Sequence, residues 1–159
     1  MKTQAPANTV TPKTLVYNFD HCSFQQYDVH DPGQEDQHSA PRYYHIITPL
    51  KKTDRLMYRY DLTGYAYGLS RPLDILWIGY VYPPRPNAPI YTFEKNMHPE
   101  DINISYMSQY YRRDGSLVLV FGPINRYCNG FSLYFQGHFG DHHEKGANPS
   151  GYSMIVRTT

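Results

Sequence analysis

Residues 57–82, MYRYDLTGYAYGLSRPLDILWIGYVY, constrain the fold more than any other stretch of the chain. They hold two extended segments that each end in Gly-Tyr-x-Tyr, beginning at Gly64 and at Gly79, with the turn-forming Gly-Leu-Ser-Arg-Pro of residues 68–72 between them. Successive side chains of a strand point to opposite faces. In the first segment Met57, Arg59, Asp61, Thr63, Tyr65 and Tyr67 therefore share one face. Tyr58, Tyr60, Leu62, Gly64 and Ala66 share the other, which is the more apolar and the one expected to be buried. The second segment is apolar at almost every position: Leu73, Ile75, Leu76, Trp77, Ile78, Tyr80 and Val81. Such a run is a short buried helix or a strand covered on both faces, and its β-branched and aromatic content, with Gly and Pro at its bounds, favours the strand. Cover on both faces calls for a second sheet or a neighbouring subunit.

The rest of the chain repeats the pattern. One or two strands are expected within residues 15–29, and one over residues 42–48, closed by Pro49. Beyond the two segments above, further strands are expected at residues 90–93, 102–111, 116–121, within 127–136, and at 152–157. Arg112-Arg113-Asp114-Gly115 reads as a hairpin turn, because Asp-Gly between extended runs is a strong short-range hairpin signal. Residues 137–151 read as a Gly- and His-rich loop, and no window carries a helical period. About eight strands at this spacing predict an all-β fold, an antiparallel β-sandwich or jelly roll. The first 14 residues are polar, with Pro6 and Pro12, and residues 31–41 begin with Asp-Pro-Gly and stay too polar to pack. These features place a boundary near residue 41, between an arm or attachment segment (1–41) and the sandwich (42–159).

At 159 residues the chain is about one domain, long enough to bury a core. A formal net charge of +1 gives no footprint for nucleic acid or an anionic membrane surface. The unusual count is 17 tyrosines beside one Trp and 7 Phe, which suits half-buried sheet faces, subunit contacts and recognition surfaces. No apolar run reaches the roughly 18 residues of a spanning helix, and the N-terminus lacks the apolar middle of a signal peptide. Cys22 and Cys128 match no metal or redox spacing, so two reduced thiols are the default expectation.

The order HIIT, MYRYDLTGYAYG, PLDILWIGYVY, YYRRDGSLVLVFG, YCNGFSLYFQG and SGYSMIVR resembles the receptor-binding tip domain of bacteriophage tail fibres and tailspikes. The resemblance runs over residues 42–157, and its most specific pieces are the MYR-to-GYAYG segment, the GYVY segment and the Asp-Gly-Ser-Leu-Val-Leu hairpin after two tyrosines. These are patterns of fold and assembly, none of them catalytic. The resemblance implies a homotrimeric knob whose tip loops touch a host cell-surface glycan or protein, with residues 1–41 attaching it to other virion tail proteins. It also implies synthesis in the host cytoplasm without a signal peptide. In a closed trimer the apolar segment at residues 73–82 packs the core on one face and a neighbour on the other. Fibre tips usually end much longer proteins, whereas this sequence starts with Met about 40 residues upstream, as a separately encoded tip, a short fibre or a fragment would.

For recognition, the long loops and the hairpin are the candidates, with Arg85, Asn87, Tyr110, Tyr111, Arg112, Arg113, His142 and His143 as contact residues. Tyr faces stack on sugar rings, while Arg and Asn hydrogen-bond hydroxyl groups. The run from Gly137 to Glu144 carries His138, His142 and His143 with two carboxylates, a weak metal candidate set against a solvated loop. No cofactor is expected. His45 reads as a satisfied core or interface histidine. Cys128 has no orienting partner at readable spacing for a nucleophile, and Glu94, Glu100 and Asp101 read as solvated rather than as a hydrolytic pair. The leading expectation is a non-enzymatic virion adhesin. The alternatives are a structural cap or decoration protein of the virion, and a stand-alone metal-dependent sugar-processing enzyme using the His138–Glu144 run.

Overall fold

The computed structural model describes residues 12–22, 42–66, 73–81, 91–94, 106–124, 128–140 and 143–157. They form nine strands: β1 (Thr14–Cys22), β2 (Arg42–Lys51), β3 (Leu56–Ala66), β4 (Leu73–Val81), β5 (Tyr91–Glu94), β6 (Tyr106–Tyr111), β7 (Ser116–Ile124), β8 (Cys128–Gly140) and β9 (Ser153–Arg157). A single helical turn, α1 (His143–Gly146), and a 3-10 turn (Pro149–Gly151) lie between β8 and β9. The strands make two antiparallel sheets, one in the order β1-β8-β3-β4-β5 and one in the order β6-β7-β2-β9. The fold is the all-β sandwich that the alternation predicts. Long-range pairs, β1 with β8 in one sheet and β2 with β7 in the other, combine with the sequential hairpin pairs β3–β4, β4–β5 and β6–β7.

The core forms where the inward faces meet, and aromatic rings dominate it. Trp77, Tyr44, Tyr58, Tyr60, Phe121 and Phe135 are its largest fully buried side chains. Tyr44 stacks on Phe121, and Phe131 meets both edge-on, with ring centroids 5.2–5.7 Å apart. A buried phenol or indole needs a partner for its polar atom. Asn129 Nδ2 on β8 donates to Tyr44 Oη on β2 at 2.7 Å, and Trp77 Nε1 on β4 donates to the Ser108 carbonyl on β6 at 3.1 Å. Tyr60 Oη on β3 lies 2.9 Å from Tyr152 Oη, which bonds the Gly146 carbonyl. The tyrosines that fill the core therefore also fasten one sheet to the other.

β3 follows the alternation read from the first segment of residues 57–82, except at Asp61, which is buried on the outer face. Tyr58, Tyr60 and Leu62 are buried, while Met57, Thr63 and Tyr65 are exposed. Gly79 faces Tyr58 in the β3–β4 register, and a Cβ there would lie 2.2 Å from Tyr58 Oη, so the Tyr58 ring needs the bare backbone. β4 is a strand whose two faces are buried to different degrees. Leu73, Ile75, Trp77 and Val81 are buried, and Leu76, Ile78 and Tyr80 on the outer face are only half-buried. On that outer face Asp61 is fully buried beneath two cations, with Arg59 Nε at 2.7 Å and Lys13 Nζ at 3.4 Å.

Four boundaries differ from the sequence reading. The strand β1 lies inside the segment read as an attachment arm, and its full ladder with β8 makes it part of the sandwich. It is held there by Val16, which is buried, and by Phe19, whose ring packs against Phe131 and Tyr44 at 5.1 and 5.5 Å. β2 runs past Pro49 to Lys51, because the ladder with β7 slips between Ile47 and Lys51 and asks no donor of the proline. β7 likewise continues through Gly122 and a cis-Pro123 to Ile124. The stretch read as a loop from residue 137 is still β8 as far as Gly140, where Gly137 and His138 pair with Tyr58 and Met57.

Candidate functional site

Three connections meet at one end of the sandwich. Lys51 at the end of β2 pairs with Ser116 at the start of β7, and Leu56 at the start of β3 pairs with Gly140 at the end of β8. The β2–β3 turn, the β6–β7 hairpin and the α1 segment therefore lie side by side. Val81, the last residue of β4, also pairs with Leu56, so β4 ends on the same side. Arg85, Asn87 and His142 lie outside the described residues.

The hairpin tip is built from its sequence in a direct way. The Gly115 amide donates to the Arg112 carbonyl at 2.9 Å, the Arg112 amide donates to the Ser116 carbonyl at 2.8 Å, and Gly115 takes a φ of 88°. The turn closes on a left-handed glycine, the conformation that a three-residue hairpin loop asks of its last residue. Asp114 Oδ1 accepts from the Ser116 amide at 2.9 Å. That bond, with the nearby Lys51 and Arg112 charges, holds the Asp114 carboxyl below its ordinary range. The neighbouring turn clamps the tip. Lys52 donates its amide to the Gly115 carbonyl at 2.9 Å, and Lys51 Nζ reaches Ser116 Oγ at 2.7 Å and Asp114 Oδ2 at 3.7 Å. Arg112 and Arg113 extend from this fixed tip into solvent.

α1 is fastened to the same turn through Asp54, which is 5% exposed. Its carboxylate accepts from the Lys51 amide at 2.7 Å and from Lys145 Nζ at 2.9 Å. Among the described residues, this end of the sandwich carries Lys51, Lys52, Arg55, Arg112, Arg113 and Lys145 against Asp54, Asp114 and Glu144, a local excess of positive charge. Lys51, Lys52 and Lys145 were absent from the sequence-based candidates. The Lys-Lys-Thr-Asp turn just after Pro49 was the available signal, but only the β2–β7 register sets it beside the Arg-Arg turn.

The other candidates distribute as follows. Tyr111 packs against the core, and burial raises its phenol pKa, so it anchors the hairpin instead of offering a contact face. Tyr110 is on the outer face of its sheet, 36% exposed, with its hydroxyl 3.0 Å from His45 Nδ1. His45 is half-buried there, satisfied by that bond, and burial together with the Arg157 charge lowers its pKa. The ring of His143 packs over Gly137, whereas the adjacent His138 points to the opposite face of β8, so these two imidazoles do not converge on one ion. Among the described residues no group of three or more His, Cys, Asp or Glu side chains is placed to hold a metal. Glu100 and Asp101 lie outside the described residues.

No family model matches this chain, and no curated protein or solved structure matches it either.

Proposed function

We propose that this protein is a non-enzymatic adhesin of a virion, a fibre-tip domain that binds a host cell-surface glycan or protein through the basic end of its sandwich. The observation that carries the reading is the clamped hairpin: Arg112 and Arg113 are exposed on a turn that Lys51, Lys52 and Ser116 hold rigid. Binding residues on loops braced by a rigid scaffold lose little entropy on contact. Bidentate guanidinium groups and an excess of cations favour partners bearing carboxylate or phosphate, such as acidic surface glycans.

Homotrimerisation completes the proposal. The half-buried Leu76, Ile78 and Tyr80, with Met57 42% exposed beside them, form the apolar outer surface that a neighbouring copy would cover. A cyclic trimer repeats one such interface three times and closes. Three tips on one particle turn weak single contacts into lasting attachment by raising the local concentration of sites.

The test is direct binding of the labelled full chain to an array of neutral and acidic glycans and to intact bacteria of several surface types. The proposal expects saturable binding to at least one surface, weakened as ionic strength rises. Absence of binding to every surface, with the protein folded, would reject it.

A further inference from the structure

The backbone register sets the only two cysteines of the chain opposite one another. Cys22, the last residue of β1, pairs with Cys128, the first residue of β8. Directly opposed residues of an antiparallel pair have Cα atoms about 4.5–5.5 Å apart. A disulfide spans about 4.4–6.8 Å between Cα atoms. The register runs without a shift from Tyr17–Leu133 to Cys22–Cys128, its one irregularity lying between Leu15 and Tyr17. Four residues earlier on the same alternation, Ser132 Oγ donates to Asn18 Oδ1 at 2.7 Å, so opposed side chains on this face of β1 and β8 do meet.

We propose that Cys22 and Cys128 form a cross-strand disulfide once the protein meets an oxidising medium, and that the bond locks β1 onto the sandwich. A low-molecular-weight disulfide such as oxidised glutathione supplies the oxidant. One cysteine thiolate attacks a sulfur of that reagent and releases the first glutathione thiolate. The second cysteine thiolate then attacks the mixed disulfide, forming the intramolecular S–S bond and releasing the second. The two cysteines lose two protons and two electrons, and the reagent is reduced to two thiols. The cytosol keeps such pairs reduced, so the lock closes outside it.

Position explains what the lock does. Among the described residues β1 is an edge strand, paired with β8, and the cysteine pair is the last rung of their ladder. That end is where an edge strand frays. The bond ties together positions roughly a hundred residues apart, and long loops gain most when closed. Neither the register nor the bond depends on what the protein binds.

The experiment uses the full chain, exposed to oxidised glutathione or to a reducing agent, then unfolded, alkylated and mapped by mass spectrometry. After oxidation, the expected result is a peptide linking Cys22 to Cys128, no alkylation at either position, and a rise in Tm of roughly 5–15 °C over the reduced protein. Cys22→Ser and Cys128→Ser should each abolish the redox-dependent rise while matching the reduced parent. Full alkylation of both thiols after oxidation, or only glutathione adducts and intermolecular dimers, would overturn the proposal. A linked peptide without any rise in Tm would overturn the locking role.

Discussion

Tyr58 on β3 donates its phenol proton to the side-chain carbonyl of Gln109 on β6, joining the five-stranded sheet to the four-stranded one through the middle of the core. Gln109 passes the link on, its Nε2 donating to the Ile78 carbonyl at 3.1 Å. Replacing Tyr58 with Phe keeps the ring and removes the donor from a carbonyl that is shut away from water. Tyr58→Phe should lower stability by about 1–3 kcal/mol, read as an earlier urea midpoint with an unchanged slope. A midpoint equal to the parent's would show that the bond contributes nothing.

Gly79 should tolerate no side chain. A Cβ there meets Tyr58 Oη at 2.2 Å and Cζ at 2.5 Å, so Gly79→Ala must push the ring out of place and break the bond to Gln109. Overpacking and the lost bond together should cost about 2–4 kcal/mol. Combining Gly79→Ala with Tyr58→Phe should cost clearly less than the two single losses added, since both act through one contact. Additive losses would mean that the two positions are independent.

These two residues also show how far the sequence can be read. The period of two along residues 57–66 is enough to assign Tyr58 to the core face, because the pattern needs only local alternation. That Gly79 is opposite Tyr58, and that Gln109 is its partner, depends on register and sheet packing, which join residues 21 and 51 positions apart. The same limit governs the candidate site. Arg112 and Arg113 stand out because Asp-Gly marks a hairpin, whereas Lys51 and Lys145 join them only through the β2–β7 ladder and the Asp54 carboxylate. A strand within residues 15–29 is legible from its spaced apolar side chains, but that it belongs to the sandwich follows only from its ladder with β8, which lies across the polar stretch of residues 31–41. The run after Gly137 looked like loop because Gly and His are poor strand signals, and only pairing to β3 makes it a strand.

Alkaline pH should unfold the protein cooperatively. Burial raises the phenol pKa values of Tyr58, Tyr60 and Tyr152 above their ordinary 10.0. The native protein then keeps protons that the unfolded chain releases. Stability is full below pH 10 and falls as pH climbs towards the folded-state values. A titration of phenolate absorbance should show Tyr58, Tyr60 and Tyr152 ionising together with loss of the circular-dichroism signal. Smooth ionisation of every tyrosine before unfolding would contradict this.

Asp54 should govern the order of the α1 segment. Asp54→Ala removes the acceptor for the Lys51 amide and for Lys145 Nζ, at an expected cost of about 1–3 kcal/mol for bonds to a buried carboxylate. Amide exchange at Ala147 and Asn148, whose N–H groups bond the His143 and Lys145 carbonyls, should accelerate more than exchange in β3. Uniform acceleration would indicate global destabilisation only.

Self-association is the next expected property. Light scattering over a range of concentrations should give a constant molar mass three times the 18.6 kDa of one chain. Ile78→Asp, on the half-buried outer face of β4, should convert it to a monomer. A concentration-independent monomer in the parent would remove the trimer from the account.

The central claim is that the end bearing the clamped hairpin touches the partner. The measurement that tests it most directly compares surface binding by the parent and by Arg112→Glu/Arg113→Glu. Both side chains are exposed, so Tm should move by no more than about 2 °C. Binding to the surface that the parent recognises should fall at least about tenfold, and its salt dependence should weaken. Equal binding by a folded charge-reversed variant would place recognition elsewhere on the molecule.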